Sequence, residues 1–208
     1  MAEVNLLRSL PKTKRNIEKR AEAKNPEIVT IARQYGEMYF DGPREYGYGG
    51  YRYDGRWLPV AKDMISHFGL KPGDRVLDIG CAKGFLVKDL MLACPGLEVF
   101  GLDISEYALH YCEPEVIGRL HLGSADHLPF PDKSFDCVIS LNTIHNFKRH
   151  RAVMAMKEIE RVSKGKSFVQ VDSYLTPEQK DIFESWVLTA EYHDYPDGWL
   201  KVFKEAGY

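Results

Sequence analysis

Between residues 75 and 172 the sequence alternates between two periods, and this alternation constrains the fold more than any other feature. Short apolar runs at 75–79, 98–103, 120–123, 136–141 and 167–172 read as strands. They are separated by helical patterns near 84–93, 105–111 and 148–163, the last presenting Val153, Met156, Ile159 and Val162 on one face. Strands joined through helices must run parallel, because the return to the same sheet edge needs a long crossover. The expectation is an α/β, doubly wound, mostly parallel sheet with helices on both faces. Such sheets bind ligands beyond the carboxyl ends of the strands, at the switch point, so the residues after each strand are the informative ones.

Upstream, residues 13–24 and 26–38 read as two helices broken near Asn25-Pro26, and 57–68 as a third with Leu58, Ala61, Met64, Ile65 and Phe68 in register. Between them lies REYGYGGYRYDGRW, residues 44–57, with four tyrosines, a tryptophan and four glycines. Too glycine-rich for a helix and too polar for a buried strand, it reads as a loop. A chain of 208 residues then divides into an N-terminal extension with a tyrosine loop, 1–56, and one core domain, 57–208.

A hydrophobic share of 44%, a charged share of 28% and a net charge of −2 describe an ordinary soluble domain. Cys81, Cys94, Cys112 and Cys137 have neither C-x-x-C nor metal-ligand spacing, so reduced thiols, no metal site and a cytoplasmic location are expected. No apolar run approaches membrane-spanning length, so no membrane is expected as a partner. Residues 1–24 carry seven Lys/Arg (Arg8, Lys12, Lys14, Arg15, Lys19, Arg20, Lys24) against three Glu, leaving −6 for the rest. That balance argues against a nucleic-acid-binding body, while the basic arm is either solvated helix or a docking element.

The first strand ends in Asp78-Ile-Gly-Cys-Ala-Lys-Gly84, where two glycines allow a sharp turn and a close approach of ligand to backbone. The second ends at Asp103, the place where a carboxylate meets ribose hydroxyls in nucleotide-binding βαβ units. After the third, Asp126 suits an adenine amine, with backbone groups of Ala125 and His127 nearby. The spacing G-x-x-x-G disfavours a nicotinamide enzyme, which expects G-x-G-x-x-G.

VLDIGCAKG, FGLDIS and GSADHLPFPDKSFDCVIS together resemble the class I S-adenosylmethionine-dependent methyltransferases, especially the ubiquinone and menaquinone branch, over residues 57–173. The resemblance implies S-adenosyl-L-methionine as cofactor, a transferase activity and a Rossmann-like fold. It places Asp78, Gly80 and Gly84, with Cys81 and Ala82 between the glycines, at the methionine part, Asp103 at the ribose, Ile104 against the adenine, and Asp126, flanked by Ala125 and His127, at the adenine amine. Ala82 and Lys83 stand where the family usually has a middle glycine and its neighbour; the extra methyl is accommodated if Ala82 has negative φ. The family's sheet closes with an antiparallel hairpin after a helix ending in glycine and an aromatic residue, whereas this sequence stops at Ala206-Gly207-Tyr208.

Methyl transfer is an in-line displacement in which orientation and desolvation carry much of the catalysis, and only an alcohol acceptor needs a base. His145, in SLNTIHNF after the fourth strand, is the candidate base, or else a helix-start histidine packed against the sheet. Asn142 is placed to orient cofactor or substrate, and His193 and Asp194 are weaker candidates for an acceptor wall. Tyr48 and Tyr51 are candidate lid residues whose rings face a sulfonium and whose hydroxyls hold an acceptor; the alternative is that they pack helices together. The expected function is methylation of a small molecule. A peptide or protein methyltransferase docking through the basic arm, and a cofactor-binding protein without activity, are the alternatives.

Overall fold

The computed structural model describes residues 3–11 and 16–208. Its centre is a five-stranded sheet of β1 (Arg75–Ile79), β2 (Glu98–Asp103), β3 (Leu120–Leu122), β4 (Cys137–Leu141) and β5 (Ser167–Gln170), in the order β3-β2-β1-β4-β5. Every pairing is parallel. The direction of winding reverses between β1 and β4, so a crevice opens at their carboxyl ends.

Both faces of the sheet are buried, which is why the strands read as nearly continuous apolar runs. Leu77, Ile79 and Val138 pack with Met156 and Ile159 of α7 (Arg149–Val162) and with Trp199 and Val202 of α9 (Pro196–Ala206). Val76, Val99 and Ile139 pack on the other face with Val60 and Met64 of α4 (Leu58–Phe68) and Leu90 of α5 (Phe85–Ala93). α6 (Glu106–His110) follows β2, its N-cap hydroxyl Ser105 accepting from Ala108 N–H at 2.9 Å. The core strands and the helices between them thus lie within two residues of where the pattern places them.

Three expectations differ. The helix expected over 26–38 is two, α2 (Pro26–Ala32) and α3 (Glu37–Phe40), because Tyr35 turns to φ +49° and Gly36 caps the next helix. That turn is held by the Ser105 hydroxyl donating to the Tyr35 carbonyl at 2.5 Å. The helix expected over 13–24 is described only as α1 (Ile17–Ala23), capped by the Asn16 side chain; residues 13–15 lie outside the described part. Residues 173–208 contain α8 (Pro177–Trp186) and α9, whose start signals, Thr176-Pro177 and Pro196, are ones an alternation argument centred on strands passes over.

The N-terminal segment folds back on the core. Arg8 and the Ser9 hydroxyl meet Asp63 at 3.6 and 2.6 Å, Arg20 donates to the carbonyls of Arg44 and Gly47, and Lys24 donates to the Glu184 carbonyl at 2.5 Å. Lys12, Lys14 and Arg15 of the basic arm lie outside the described residues. Among the described residues no helix is long and apolar enough to cross a membrane, and no group of His, Cys, Asp and Glu has metal-binding geometry.

Candidate active site

A cavity of about 250 Å³ opens over the carboxyl ends of β1, β2 and β4. Its floor is the turn after β1, where Gly80 and Cys81 donate to the Leu102 carbonyl at 2.7 and 3.2 Å. Gly80 has φ +80°, and a Cβ there would fall 1.9 Å from the Thr143 hydroxyl oxygen, so only glycine fits. Ala82 also lines the cavity, at φ +50°, so the condition of a negative φ is not met and the methyl is accommodated in another way. Two contacts hold it in this unfavoured region. Its N–H donates to Asp103 at 2.7 Å, and its methyl is buried among Phe40, Tyr51 and Tyr107. Gly84 does not reach the cavity; at φ +78° it starts α5, packed so that a Cβ would meet Val116 at 2.8 Å.

Two of the carboxylates that line the cavity, Asp78 and Asp103, are buried. Asp78 is 4% exposed, and burial, reinforced by the neighbouring Asp103, pushes its carboxyl up to about 7. Asp103 is raised as well by burial, against the pull of the backbone N–H groups of Ser105, Ala82 and Ile104. Adjacent buried acids with few counter-charges form a site suited to a cationic or hydroxyl-rich ligand. Ile104 beside them is 55% exposed, an apolar side chain left open on the cavity wall.

At the end of β3 the wall consists of Gly123, Ser124 and Ala125. Asp126 turns away from it. Its carboxylate accepts from Arg151 Nε and from the Ser124 hydroxyl, both at 2.5 Å; these pull the carboxyl down against burial. Arg151, which lines the cavity, stands where Asp126 was expected, and His127 is exposed outside it. The SADH segment alone carries no sign of the Arg151 partner, which arrives from α7.

Tyrosines form the roof. Tyr35, Tyr39, Phe40, Tyr48, Tyr51 and Trp57 all line the cavity. The Tyr51 ring stacks on Phe85 with centroids 4.5 Å apart, and burial lifts its phenol well above the usual value, with Tyr48, Asp78 and Asp103 adding to the rise. Tyr48 lies 4.3 Å from the Tyr51 ring and 5.2 Å from that of Tyr39. The far wall comes from the other end of the chain. Thr189 lines the cavity with Tyr35 and Tyr39, and Arg33 reaches the Leu188 carbonyl at 3.2 Å and Glu191 at 3.4 Å. Nothing in the sequence around 33 or 188–191 marks these residues.

Asn142, at φ +53°, lines the cavity beside Thr143, Asn146 and Phe147. His145 does not. It is 4% exposed behind the wall, its Nδ1 accepts from the Asp172 N–H at 3.2 Å, and its carbonyl accepts from Glu191 and Tyr192. Burial lowers its pKa; Asp172 opposes this and His193 adds to it. It packs behind the wall, outside the cavity. His193 and Asp194 also stand outside the cavity, bonded to Tyr174 and to Tyr192 and Tyr195.

His145→Asn is accordingly expected to lower the melting temperature by several degrees, as loss of a buried polar partner costs about 1–3 kcal/mol, and to leave ligand affinity within about twofold. A histidine neutral in the fold stabilises fully above its unfolded pKa. Wild-type stability should therefore fall as pH drops below about 6.5, less steeply in the variant, which thermal melts across pH 5–8 will read.

Residues 77–170, spanning β1 to β5, match the family model described as a methyltransferase domain. The stretch from β1 to β5 is thus similar to a methyltransferase domain. The chain is 28% identical to demethylmenaquinone methyltransferase of Thermotoga maritima over 74% of its length and 77% of that protein. It is 33% identical to 2-methyl-6-phytyl-1,4-hydroquinone methyltransferase of Synechocystis over 65% of this chain and 48% of the relative. Several other curated relatives are likewise matched over less than half of their own length. The chain superposes on the Haloferax volcanii complex of the Trm112 activator with a methyltransferase at TM-score 0.60, with 24% identity and coverage of 73% of this chain and 67% of that one, which shows the fold.

Proposed function

We propose that this chain transfers a methyl group from S-adenosylmethionine to a nucleophilic nitrogen, oxygen or carbon of a small-molecule acceptor. The observation that carries this reading is one cavity with a glycine-floored turn and two buried carboxylates below and a sheet of tyrosine rings above. The residues fit the cofactor. Gly80 lets the turn after β1 close against Thr143 while lining the cavity, Asp103 offers charged acceptors for ribose hydroxyls, Asp78 offers a carboxylate to a cation, and exposed Ile104 offers an apolar surface to a base. Ser124, Ala125 and Asn142 complete the polar contacts, with Asp126 acting through Arg151.

S-adenosylmethionine supplies the activated methyl on its sulfonium. This chain's own residues orient and dry the reactants. Tyr51 and Tyr48 present ring faces to positive charge and exclude water, and Tyr39, Thr189 and Tyr35 give the acceptor side a chain of hydroxyls. Residues 1–56 serve as the cap and 57–208 as the core. The names of the menaquinone and hydroquinone relatives support a small-molecule acceptor. Docking of a peptide through the basic arm is less favoured, because Arg20 and Lys24 bond carbonyls of this chain.

Tyr51→Phe should keep cofactor affinity, whereas Tyr51→Ala should weaken it by about 0.5–2 kcal/mol and also lower stability by roughly 3–5 kcal/mol, since the ring is both roof and packing. Tyr48, which is 41% exposed, should show the affinity effect with a much smaller loss of stability. Calorimetry and melting of the four variants separate these patterns. The reading as a whole is tested with methyl-labelled cofactor and a metabolite extract. Label in the small-molecule fraction supports it, label in polypeptide favours the protein-directed alternative, and cofactor binding without any transfer leaves a binding protein.

A further inference from the structure

We infer that Lys83 is a positioning residue which, through Asp41, fixes the tyrosine roof to the turn beneath the cofactor and so sets how long the cofactor stays bound. The inference rests on the cofactor reading above and explains the Ala82-Lys83 pair that stands in the glycine-rich turn.

Lys83 does not line the cavity, yet it is only 7% exposed. Its ammonium reaches Asp41 Oδ2 at 2.5 Å and lies 5.7 Å from the centre of the Tyr107 ring. The same Asp41 oxygen accepts from the Tyr107 hydroxyl at 2.8 Å, and the other accepts from the backbone N–H of Tyr51 at 3.0 Å. Asp41 therefore holds the roof residue Tyr51 by its main chain with one oxygen and the floor turn with the other. Ala82, next to Lys83, buries its methyl in the same cluster as Phe40, Tyr51 and Tyr107. Floor and roof are joined at one carboxylate, by an ion pair on one side and an apolar contact on the other.

Burial raises the Asp41 carboxyl, but the bonds from Lys83, the Tyr51 backbone and Tyr107 outweigh it and hold the carboxyl below its usual value. A carboxylate with depressed folded pKa contributes fully above its unfolded pKa and is lost only as pH falls through the folded one. The junction is therefore fully made at neutral pH.

The test measures S-adenosylhomocysteine in wild type, Lys83→Met, Asp41→Asn, the double variant and Lys83→Arg, with dissociation rates from stopped-flow fluorescence and equilibrium constants from calorimetry. Removing one partner of a shielded charge pair acts mainly on dissociation, so each single variant should release the ligand about tenfold faster or more, with association little changed. The double variant should be no faster than the faster single, and Lys83→Arg should remain near wild type. Ligand should slow tryptic cleavage after Arg52 in wild type and do so much less in Lys83→Met, a readout that a merely structural lysine would not move. Unchanged release from Lys83→Met, or additive singles, overturns the inference while the cofactor reading stands. Failure of the wild-type protein itself to bind S-adenosylhomocysteine removes the cofactor reading and this inference with it.

Discussion

Asp103→Ala is expected to lower affinity for S-adenosylhomocysteine by about 100-fold or more, because two ribose hydroxyls lose charged acceptors worth roughly 1.5–3 kcal/mol each. The free protein should also melt several degrees lower. Asp103 accepts from Ala82 N–H at 2.7 Å and from Ser105 N–H at 2.8 Å, and removing it leaves two buried donors without partners, at about 1–3 kcal/mol apiece. The conformation of Ala82 at positive φ depends on the first of these bonds. Asp103→Asn keeps an oxygen for one of the two N–H groups and should recover part of the stability with little of the affinity. Calorimetry beside thermal melting decides the matter: a dissociation constant equal to wild type would mean that the carboxylate serves the turn alone and no ribose.

The second large effect reverses sign between stability and binding. Burial pushes the Asp78 carboxyl up to about 7, against an ordinary 3.8. An acid that ionises less readily in the fold than in the unfolded chain costs stability once the unfolded chain ionises. The cost is absent below about pH 4, grows up to about pH 7 and stays constant above. Asp78→Asn removes it, so the empty variant should melt higher than wild type at pH 8 and alike at pH 4. A cationic ligand prefers the ionised carboxylate, so wild-type affinity should rise about tenfold per pH unit below 7 and level off above it. The variant should bind about ten- to a hundredfold more weakly at pH 8, with that slope gone. A flat affinity profile in wild type would show that Asp78 stays in one state throughout and does not face the ligand's charge.

The parts of this site that could be read from sequence were those built by local chemistry. The turn at Gly80, the carboxylate at Asp103 and the strands beneath them follow from residue types at fixed offsets within one βαβ unit. The sheet was legible because its central strands, β1 and β4, are buried on both faces and so show nearly unbroken apolar runs. Roles that depend on a distant partner were not legible. His145 and Asp126 are residue types apt for a base and an adenine acceptor, but Asp172 N–H and Arg151 claim them, 27 and 25 residues away. The positive φ at Ala82 was not legible for a related reason, since it is held by Asp103, 21 residues on. Tyr48 and Tyr51 needed no such partner to be noticed: so many rings on a glycine-rich backbone call for something to stand against, and the cavity lies directly below them.

The cavity's far wall links opposite ends of the chain, with Arg33 bonded to the Leu188 carbonyl 155 residues away. Closing so long a loop costs entropy that nearer contacts do not, so this joint should be among the later ones made as the chain folds. A chain emerging from the ribosome can complete β1, β2 and the glycine turn long before residue 188 exists. It would then hold the lower half of a pocket with nothing above it. Ligand capture is therefore a late event in the life of each molecule, and a measure of it counts only chains whose two ends have met.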